Sequence, residues 1–247
     1  MKKVTLYIIL LAILGCNSQD SASPTSAVGN GKGGSMARFA VKGDALYVLS
    51  DDSLQIFDIT DARTPSRVSK IGLRGNIETI FPYSNFIFFG TTTGMLIYDN
   101  STPFLPKYIS TYSHIRSCDP VVVQDDYAYV TLRNGTDCWN GLNSLDIIDL
   151  KNIADPQLVK SYDMVNPYGL GIDGDKLFVC DDYAGLKVYD VSDPLRLTMT
   201  NHFKNMHTFD VIPNSGNLIM VGDDGVFQFD YSSTDSLLLL STIPIVE

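Results

Sequence analysis

Short apolar stretches with strand-like alternation recur along this chain, and each of the five clearest ends on an aspartate. They are residues 54–58 (LQIFD), 95–99 (MLIYD), 145–149 (LDIID), 186–190 (LKVYD) and 226–230 (VFQFD). Their aspartates lie 41, 50, 41 and 40 residues apart. A period of about 40 residues, with strand patterning inside each unit, is typical of an array of repeated sheets.

Each repeat unit can be divided into four short strands. In the first unit we predict strands over 37–41, 46–50, 54–59 and 67–73, because these runs are rich in Val, Ile, Phe and Tyr and bounded by turn residues. The turn between the first two strands recurs at 43–44, 84–85, 125–126, 174–175 and 216–217. No amphipathic helix is predicted in the body of the chain.

Five four-stranded units predict an all-β protein, a β-propeller of about five four-stranded blades, since radial stacking protects the sheet edges. An open stack of sheets or a split sandwich is the alternative. The array begins with an innermost strand and ends with an outermost strand, predicted over 237–243. No blade is therefore shared between the two ends of the array, and no strand exchange is expected to lock the ring.

The N-terminus reads as an export signal. Lys2 and Lys3 precede an apolar run over 4–14, which is too short to span a bilayer, and the run ends in Leu-Gly-Cys at Cys16. This ending resembles the bacterial lipobox, in which the signal peptidase cuts before a cysteine that then carries acyl chains. The alternative is an ordinary secretory peptide that contains a cysteine.

These features predict three segments. Residues 1–15 form a lipoprotein signal peptide that is cleaved, residues 16–35 a lipidated Cys16 and a flexible, Ser- and Gly-rich linker, and residues 36–247 the β-propeller domain. We expect an exported protein that is anchored by its lipid to the bacterial cell envelope, at the outer membrane, on its periplasmic or its surface face.

The net charge of the chain indicates which classes of partner to expect. The chain has 18 basic and 28 acidic residues, a formal net charge of −10. Nucleic acid is not expected as a partner, because phosphate binding needs basic patches. An acidic chain of this kind suits a soluble domain at the cell envelope.

The units resemble the LVIVD-repeat family of bacterial β-propeller lipoproteins. The matching stretches are 128–133 (AYVTLR), 145–149 (LDIID), 166–170 (NPYGL), 177–181 (LFVCD) and 185–190 (GLKVYD). The resemblance implies a propeller fold, export, and a binding or scaffold role. It carries over no biochemical activity and no catalytic residues.

Two cysteines are predicted to form a disulfide. In a four-stranded meander, the loop that enters a blade and the loop between its second and third strands lie at the same end. Cys118 and Cys138 fall in these two loops of the third unit. Export favours their oxidation; the alternative is two independent small apolar side chains. Cys180 lies in a predicted strand and is expected to be a buried free thiol.

The end of the propeller that carries the loops of Cys118 and Cys138 is also the predicted place for a ligand. Mixed charged and hydrogen-bonding groups at a propeller mouth are the default candidates for a site, although each could simply cap a loop. The longest insertion, over 133–143, contributes the one tryptophan, which either recognises a ligand or holds the loop down. The candidate ligand-binding residues are Arg116, Asp119, Arg133, Trp139, Tyr168 and His207.

Three units carry acidic pairs in the turn between their second and third strands. Hard cations such as Ca²⁺ prefer several oxygen ligands, so a rim of carboxylates could hold one. Asp is also common in hairpin turns, and the turns can point away from one another. The preferred interpretation is therefore that these carboxylates stabilise turns and bind no cation. No other cofactor is expected. The candidate Ca²⁺ ligands are Asp51, Asp52, Asp181, Asp182, Asp223 and Asp224.

No catalytic motif stands out. None of the three histidines has a zinc-type spacing, and no nucleophile elbow is present. The leading hypothesis is a lipid-anchored, non-catalytic binding or scaffold module for an envelope protein or glycan. One alternative is a polysaccharide hydrolase or lyase with its site at the propeller mouth, and another is a structural subunit of an outer-membrane complex.

Overall fold

A computed structural model describes residues 33–50, 52–113, 120–134, 143–232 and 236–245. These residues form twenty strands and, within these ranges, no helix, so none that is long and apolar enough to cross a membrane. The strands are β1 Phe39–Lys42, β2 Ala45–Ser50, β3 Ser53–Asp58, β4 Ser66–Gly72, β5 Ile77–Tyr83, β6 Phe86–Thr91, β7 Gly94–Asp99, β8 Lys107–Ser113, β9 Val121–Gln124, β10 Tyr127–Leu132, β11 Ser144–Asp149, β12 Gln157–Asp163, β13 Leu170–Asp173, β14 Lys176–Cys180, β15 Leu186–Asp190, β16 Thr198–Phe203, β17 Asp210–Asn214, β18 Asn217–Gly222, β19 Gly225–Asp230 and β20 Leu238–Pro244.

The strands form five antiparallel sheets of four consecutive strands each, which are the blades of a β-propeller. Blade 1 is β1–β4, blade 2 is β5–β8, blade 3 is β9–β12, blade 4 is β13–β16 and blade 5 is β17–β20. The predicted fold class is confirmed. The innermost strands β1, β5, β9, β13 and β17 line a central cavity of about 190 Å³.

The recurring aspartate closes each blade's third strand. Asp58, Asp99, Asp190 and Asp230 each accept a hydrogen bond from the backbone N–H two residues later, at 2.7–2.8 Å. Hydroxyl bonds from Thr or Ser at the same position, together with these backbone bonds, hold the pKa of these carboxyls below its usual value. The sequence repeat thus encodes a turn.

The turn between the first two strands of each blade needs a left-handed residue. The first turn residue has a φ between 47 and 56° in every blade, at Gly43, Ser84, Asp125, Gly174 and Ser215. Gly, Asp and Ser tolerate or locally stabilise such a conformation. In blade 5 the turn is therefore 215–216, one residue earlier than predicted.

Each blade has two faces. We name the face that packs on the following blade the leading face, and the one that packs on the preceding blade the trailing face. In blade 4, Phe178 and Val188 belong to the leading face and Leu177 and Tyr189 to the trailing face, because side chains alternate along a strand. Apolar cores of this kind fill the four seams between consecutive blades.

The seam between blades 5 and 1 is different. Among the described residues, no apolar core joins these two blades. Ile219 and Val221, on the leading face of blade 5, are 39% and 36% exposed, and Phe39 on the trailing face of blade 1 is 61% exposed. A cavity of about 370 Å³ lies at the inner end of this seam, between residues 33–41 and strand β17.

A polar contact bridges the inner end of this open seam. The Ser35 hydroxyl donates to the Asp210 carboxylate at 3.2 Å and accepts from the backbone N–H of Leu170 at 2.8 Å. Gly34 and Gly169 leave room for the carboxylate, since a Cβ at either position would overlap it. Burial raises the pKa of Asp210 to about 6 against the opposing effect of its hydrogen bonds. We name this contact the Asp210 latch.

Candidate functional site

A histidine lies between two carboxylates at one end of the propeller. The His207 ring contacts Asp182 through Nε2 and Asp223 through Nδ1. Asp182 and Asp223 follow the second strands of blades 4 and 5, and His207 lies in the loop from β16 to β17. The two kinds of loop therefore meet at one end, as the meander predicts. We name it the loop face.

An exposed tyrosine covers the histidine. The rings of Tyr183 and His207 are stacked, with centroids 3.7 Å apart and planes 16° from parallel. Tyr183 is 75% exposed, whereas His207 is half-buried. We name Tyr183, His207, Asp182 and Asp223 the tyrosine–histidine cluster; it presents a flat aromatic surface with carboxylates beside it.

A second aromatic pair adjoins this cluster. The Arg133 guanidinium lies 3.8 Å from the centroid of the Tyr168 ring. The Phe209 ring connects the two groups, because its centroid is 5.5 Å from that of Tyr168 and 4.8 Å from that of His207. Arg133, Tyr168 and His207 thus form one continuous surface, which spans loops of blades 3, 4 and 5.

Buried hydrogen bonds fix the backbone under the cluster. Asp181 is fully buried and accepts from the backbone N–H groups of Val165, at 3.1 Å, and Asn166, at 2.7 Å, and from the ammonium of Lys187. The Asn166 amide also donates to Asp182 at 2.6 Å. Asp182 has a left-handed φ of 52°, which turns the chain so that Tyr183 projects outward. The turn is therefore preorganised.

Three of the six candidate ligand-binding residues come together here: Arg133, Tyr168 and His207. Arg116, Asp119 and Trp139 lie outside the described residues, as do Cys16 and the cysteines Cys118 and Cys138, so the predicted anchor and disulfide stay predictions. Sequence reasoning missed Tyr183. Its signal was its position directly after the acidic pair, at the tip of a turn, where a large aromatic side chain cannot be buried.

The carboxylates of the acidic turns make different contacts in different blades. Asp181 is paired with Lys187, while Asp182 and Asp223 hold His207. Asp52 and Asp224 are exposed, and Asp51 lies outside the described residues. In the part of the chain that the structure describes, no three carboxylate, imidazole or thiol groups are arranged to hold a metal ion. A Ca²⁺ site at these turns stays a prediction, testable by thermal melting with Ca²⁺ and with EDTA.

Cys180 is a free and fully buried thiol, as the strand pattern predicted. It belongs to the core between blades 4 and 5. Burial raises the pKa of this thiol well above its usual value, and nearby Asp210 and Asp181 add to the shift. A thiol of this kind is unreactive in the native state and serves as a small apolar side chain.

A comparison with known protein families shows to which family the chain belongs. A profile of the LVIVD repeat matches residues 33–79, 115–164 and 169–204, more than half of the chain. The chain belongs to the LVIVD-repeat family. The matched ranges of this LVIVD-repeat protein fall in its first, third and fourth units, which include the stretches that carried the resemblance in sequence. No match was found among curated proteins.

Several solved structures share the fold of this LVIVD-repeat protein. A functionally unknown protein of Desulfotomaculum acetoxidans is 14% identical, with a TM-score of 0.67 over 84% of this chain and 69% of that one. Apo AztD from Citrobacter koseri is 13% identical, with a TM-score of 0.60 over 82% and 61%. The periplasmic gluconolactonase PpgL of Pseudomonas aeruginosa is 11% identical, with a TM-score of 0.60 over 82% and 68%. The chain thus spans 61–69% of these structures, and at such identities the likeness concerns the fold alone.

Proposed function

We propose that this LVIVD-repeat protein is a non-catalytic binding module of the bacterial cell envelope that takes a glycan at the tyrosine–histidine cluster. The single observation that carries the proposal is the Tyr183 ring, which is 75% exposed yet held flat against His207. Loops on a rigid scaffold commonly carry binding residues. An exposed aromatic ring that is already ordered loses little conformational freedom on binding.

The chemistry around the ring suits a saccharide. The C–H face of a pyranose packs on an aromatic face, and the hydroxyls at its rim need hydrogen-bond acceptors and donors. Each carboxylate oxygen has two lone pairs, so Asp223, whose side chain is 51% exposed, can accept from hydroxyls while it contacts His207. Two carboxylates, Asp182 and Asp223, outnumber the one neighbouring guanidinium, that of Arg133, which disfavours an anionic ligand.

Titration calorimetry with defined glycans tests this site. We expect the protein to bind at least one of the neutral oligosaccharides chitohexaose, maltohexaose and cellohexaose. Tyr183→Ala should weaken that binding about 10-fold or more, because a central aromatic anchor is lost. Tyr108→Ala is the matched control, since Tyr108 is a 52% exposed tyrosine on β8, away from the loop face.

The outcomes separate the hypotheses. Equal binding by wild type and Tyr183→Ala would exclude the cluster as the glycan site. Release of reducing ends from the bound glycan, abolished by Asp223→Asn, would establish the alternative, a hydrolase or lyase. No binding to any glycan, with an envelope protein crosslinked at the loop face, would replace the glycan by a protein partner or by the role of a structural subunit.

The envelope location rests on the sequence before the propeller. Cys16 follows the apolar run over 4–14 after a single glycine, and the polar residues after it would act as a tether. We expect palmitate labelling of the wild-type chain and its recovery with the membrane fraction. Cys16→Ser should lose both. Labelling that persists in Cys16→Ser would contradict the proposed anchor.

A further inference from the structure

The outermost strand of blade 5 is apolar and exposed along its whole length. All seven residues of β20 are exposed, and its large apolar side chains expose between 49% and 69% of their surface. Ile245, directly after the strand, is 63% exposed. We name this surface the apolar edge; it comprises Leu238, Leu239, Leu240, Ile243 and Ile245.

The outermost strands of the other blades are protected against pairing. β4 carries Arg67, β8 carries Lys107 and β12 carries Lys160. Charged side chains on an edge strand oppose the addition of another strand. Four of the six residues of β16 are polar, whereas only two of the seven residues of β20 are. The outermost strand of blade 5 thus has neither the charged residues of β4, β8 and β12 nor the polar composition of β16; its one protecting residue is Pro244 at its end.

The apolar edge is large enough for a specific contact. Five large, half-exposed apolar side chains offer on the order of 500 Å² of apolar surface in total, divided between the two faces of the strand. Pairing of the strand's free main-chain edge would add area, towards the roughly 800 Å² per partner of a standard interface. Among the described strands, β20 pairs only with β19, which leaves its other edge for such pairing.

Charge indicates which partner covers this edge. The chain has a net charge of −10, so two copies repel each other unless they meet at an uncharged surface. Residues 236–245 contain no charged side chain. A two-fold axis brings like residues together, and apolar residues tolerate this where charges do not. Two antiparallel copies of one strand can also form the ladder found within the sheet.

We propose that two copies of this chain associate through β20. The two strands pair antiparallel about a two-fold axis, so that the two blade-5 sheets become one eight-stranded sheet. The apolar side chains of the two strands then lie beside one another on its faces. The contact is isologous and closes after two copies, since the same strand, β20, is used by both. The tyrosine–histidine cluster stays outside the contact, because it lies on the loop face.

Sedimentation of the full chain in detergent tests the proposal. We expect the mass of a dimer for the wild type. Leu239→Lys should raise the dissociation constant about 100-fold or more, because it places two ammonium groups in an apolar contact. Met199→Lys is the matched control: Met199 pairs with Tyr189 as Leu239 pairs with Phe229, and the two are 50% and 52% exposed.

A crosslink tests the pairing itself. Ser241 lies at the middle of β20, so Ser241→Cys should join the two copies with a short bismaleimide, whereas Thr198→Cys at the end of β16 should not. A monomer at all concentrations would overturn the proposal. So would a dimer that Leu239→Lys leaves intact, one that Met199→Lys weakens equally, or the absence of the Ser241→Cys crosslink.

Discussion

Two neighbouring seams of this propeller use equivalent strand positions with opposite results. Between blades 4 and 5, Phe178 and Cys180 of the leading face are fully buried. Between blades 5 and 1, the equivalent Ile219 and Val221 are more than one-third exposed. A repeat gives every blade two packing faces, but a face contributes burial energy only where a neighbour covers it. The first and last blades are therefore the weak points of such an array.

At the open seam, a polar contact takes the place of the apolar core that joins the blades at the other four seams. The Asp210 latch joins residues 34–35 of the N-terminal segment to β17 and to the start of β13. Hydrogen bonds to a half-buried carboxylate are modest in net stability and change with pH. The filled seams depend on apolar area, which does not titrate. The two kinds of seam should thus differ in strength and in their response to pH.

The largest expected difference between the seams is in the cost of truncation. Phe178→Ala should lower the free energy of unfolding by about 3–5 kcal/mol, since it leaves a cavity in a filled core. Ile219→Ala, at the equivalent position of the open seam, should cost less than about 1 kcal/mol. Urea unfolding of the two variants measures both values. Equal costs would mean that blades 5 and 1 pack together in solution.

Thiol accessibility gives the next contrast. Cys180 pairs with Leu186 on a filled face, as Val221 pairs with Val226 on the open one. A maleimide should label Val221→Cys, in a Cys180→Ala background, about 100-fold or more faster than it labels Cys180, which reacts only after local opening. Mass spectrometry assigns the labelled residue. Similar rates would show that the two seams open equally often.

The fold could be predicted because its signals are local. Strand periodicity, turn residues and the repeated aspartate lie within a few residues of one another, and the predicted strands of the first unit agree with β1–β4 within two residues. The Asp210 latch could not be predicted in this way. It brings together residues 34, 169 and 210, and nothing in the sequence near any of them indicates the other two.

The candidate site was predicted in part for the same reason. The meander places Arg133, Tyr168 and His207 at one end, so topology alone was enough to group them. Their chemical roles depend on contacts between blades, such as the two carboxylates around His207. The acidic pairs suggested a cation, whereas in blades 4 and 5 they contact an imidazole and an ammonium group.

The latch should make the open seam sensitive to pH. The pKa of Asp210 is about 6 in the folded chain, above its usual value of 3.8, so the folded state binds the proton more tightly. The contribution of Asp210 to the free energy of unfolding is complete below about pH 4 and is lost as the pH rises through 6, for a change of about 3 kcal/mol.

Asp210→Asn, which cannot titrate, isolates this contribution. The free energy of unfolding of the wild type, minus that of Asp210→Asn, should decrease as the pH rises from 4 to 7. Asp58→Asn is the control: hydrogen bonds from Thr60 lower the pKa of the Asp58 carboxyl, so the difference for this variant should change mainly below this interval. A wild-type minus Asp210→Asn difference that stays constant with pH would contradict a pKa of about 6.

The smallest effect is expected at Gln228, the position that marks the leading face of blade 5 as open. The equivalent positions in blades 1 to 4 are Ile56, Ile97, Ile147 and Val188, and all four are buried. Gln228 is exposed and accepts a hydrogen bond from Ser241 at 3.2 Å. A polar side chain is tolerated there because water reaches it.

Gln228→Ile places the apolar residue type of the other blades at this position, which no apolar core of the described residues covers. Its effect on the free energy of unfolding should stay within about 0.5 kcal/mol, as for other exposed positions. Val188→Gln, the reciprocal change in the filled seam, should cost clearly more, because a buried amide without partners is destabilising. A gain of about 1 kcal/mol or more from Gln228→Ile would show that another surface already covers this face, since only buried apolar area stabilises the fold.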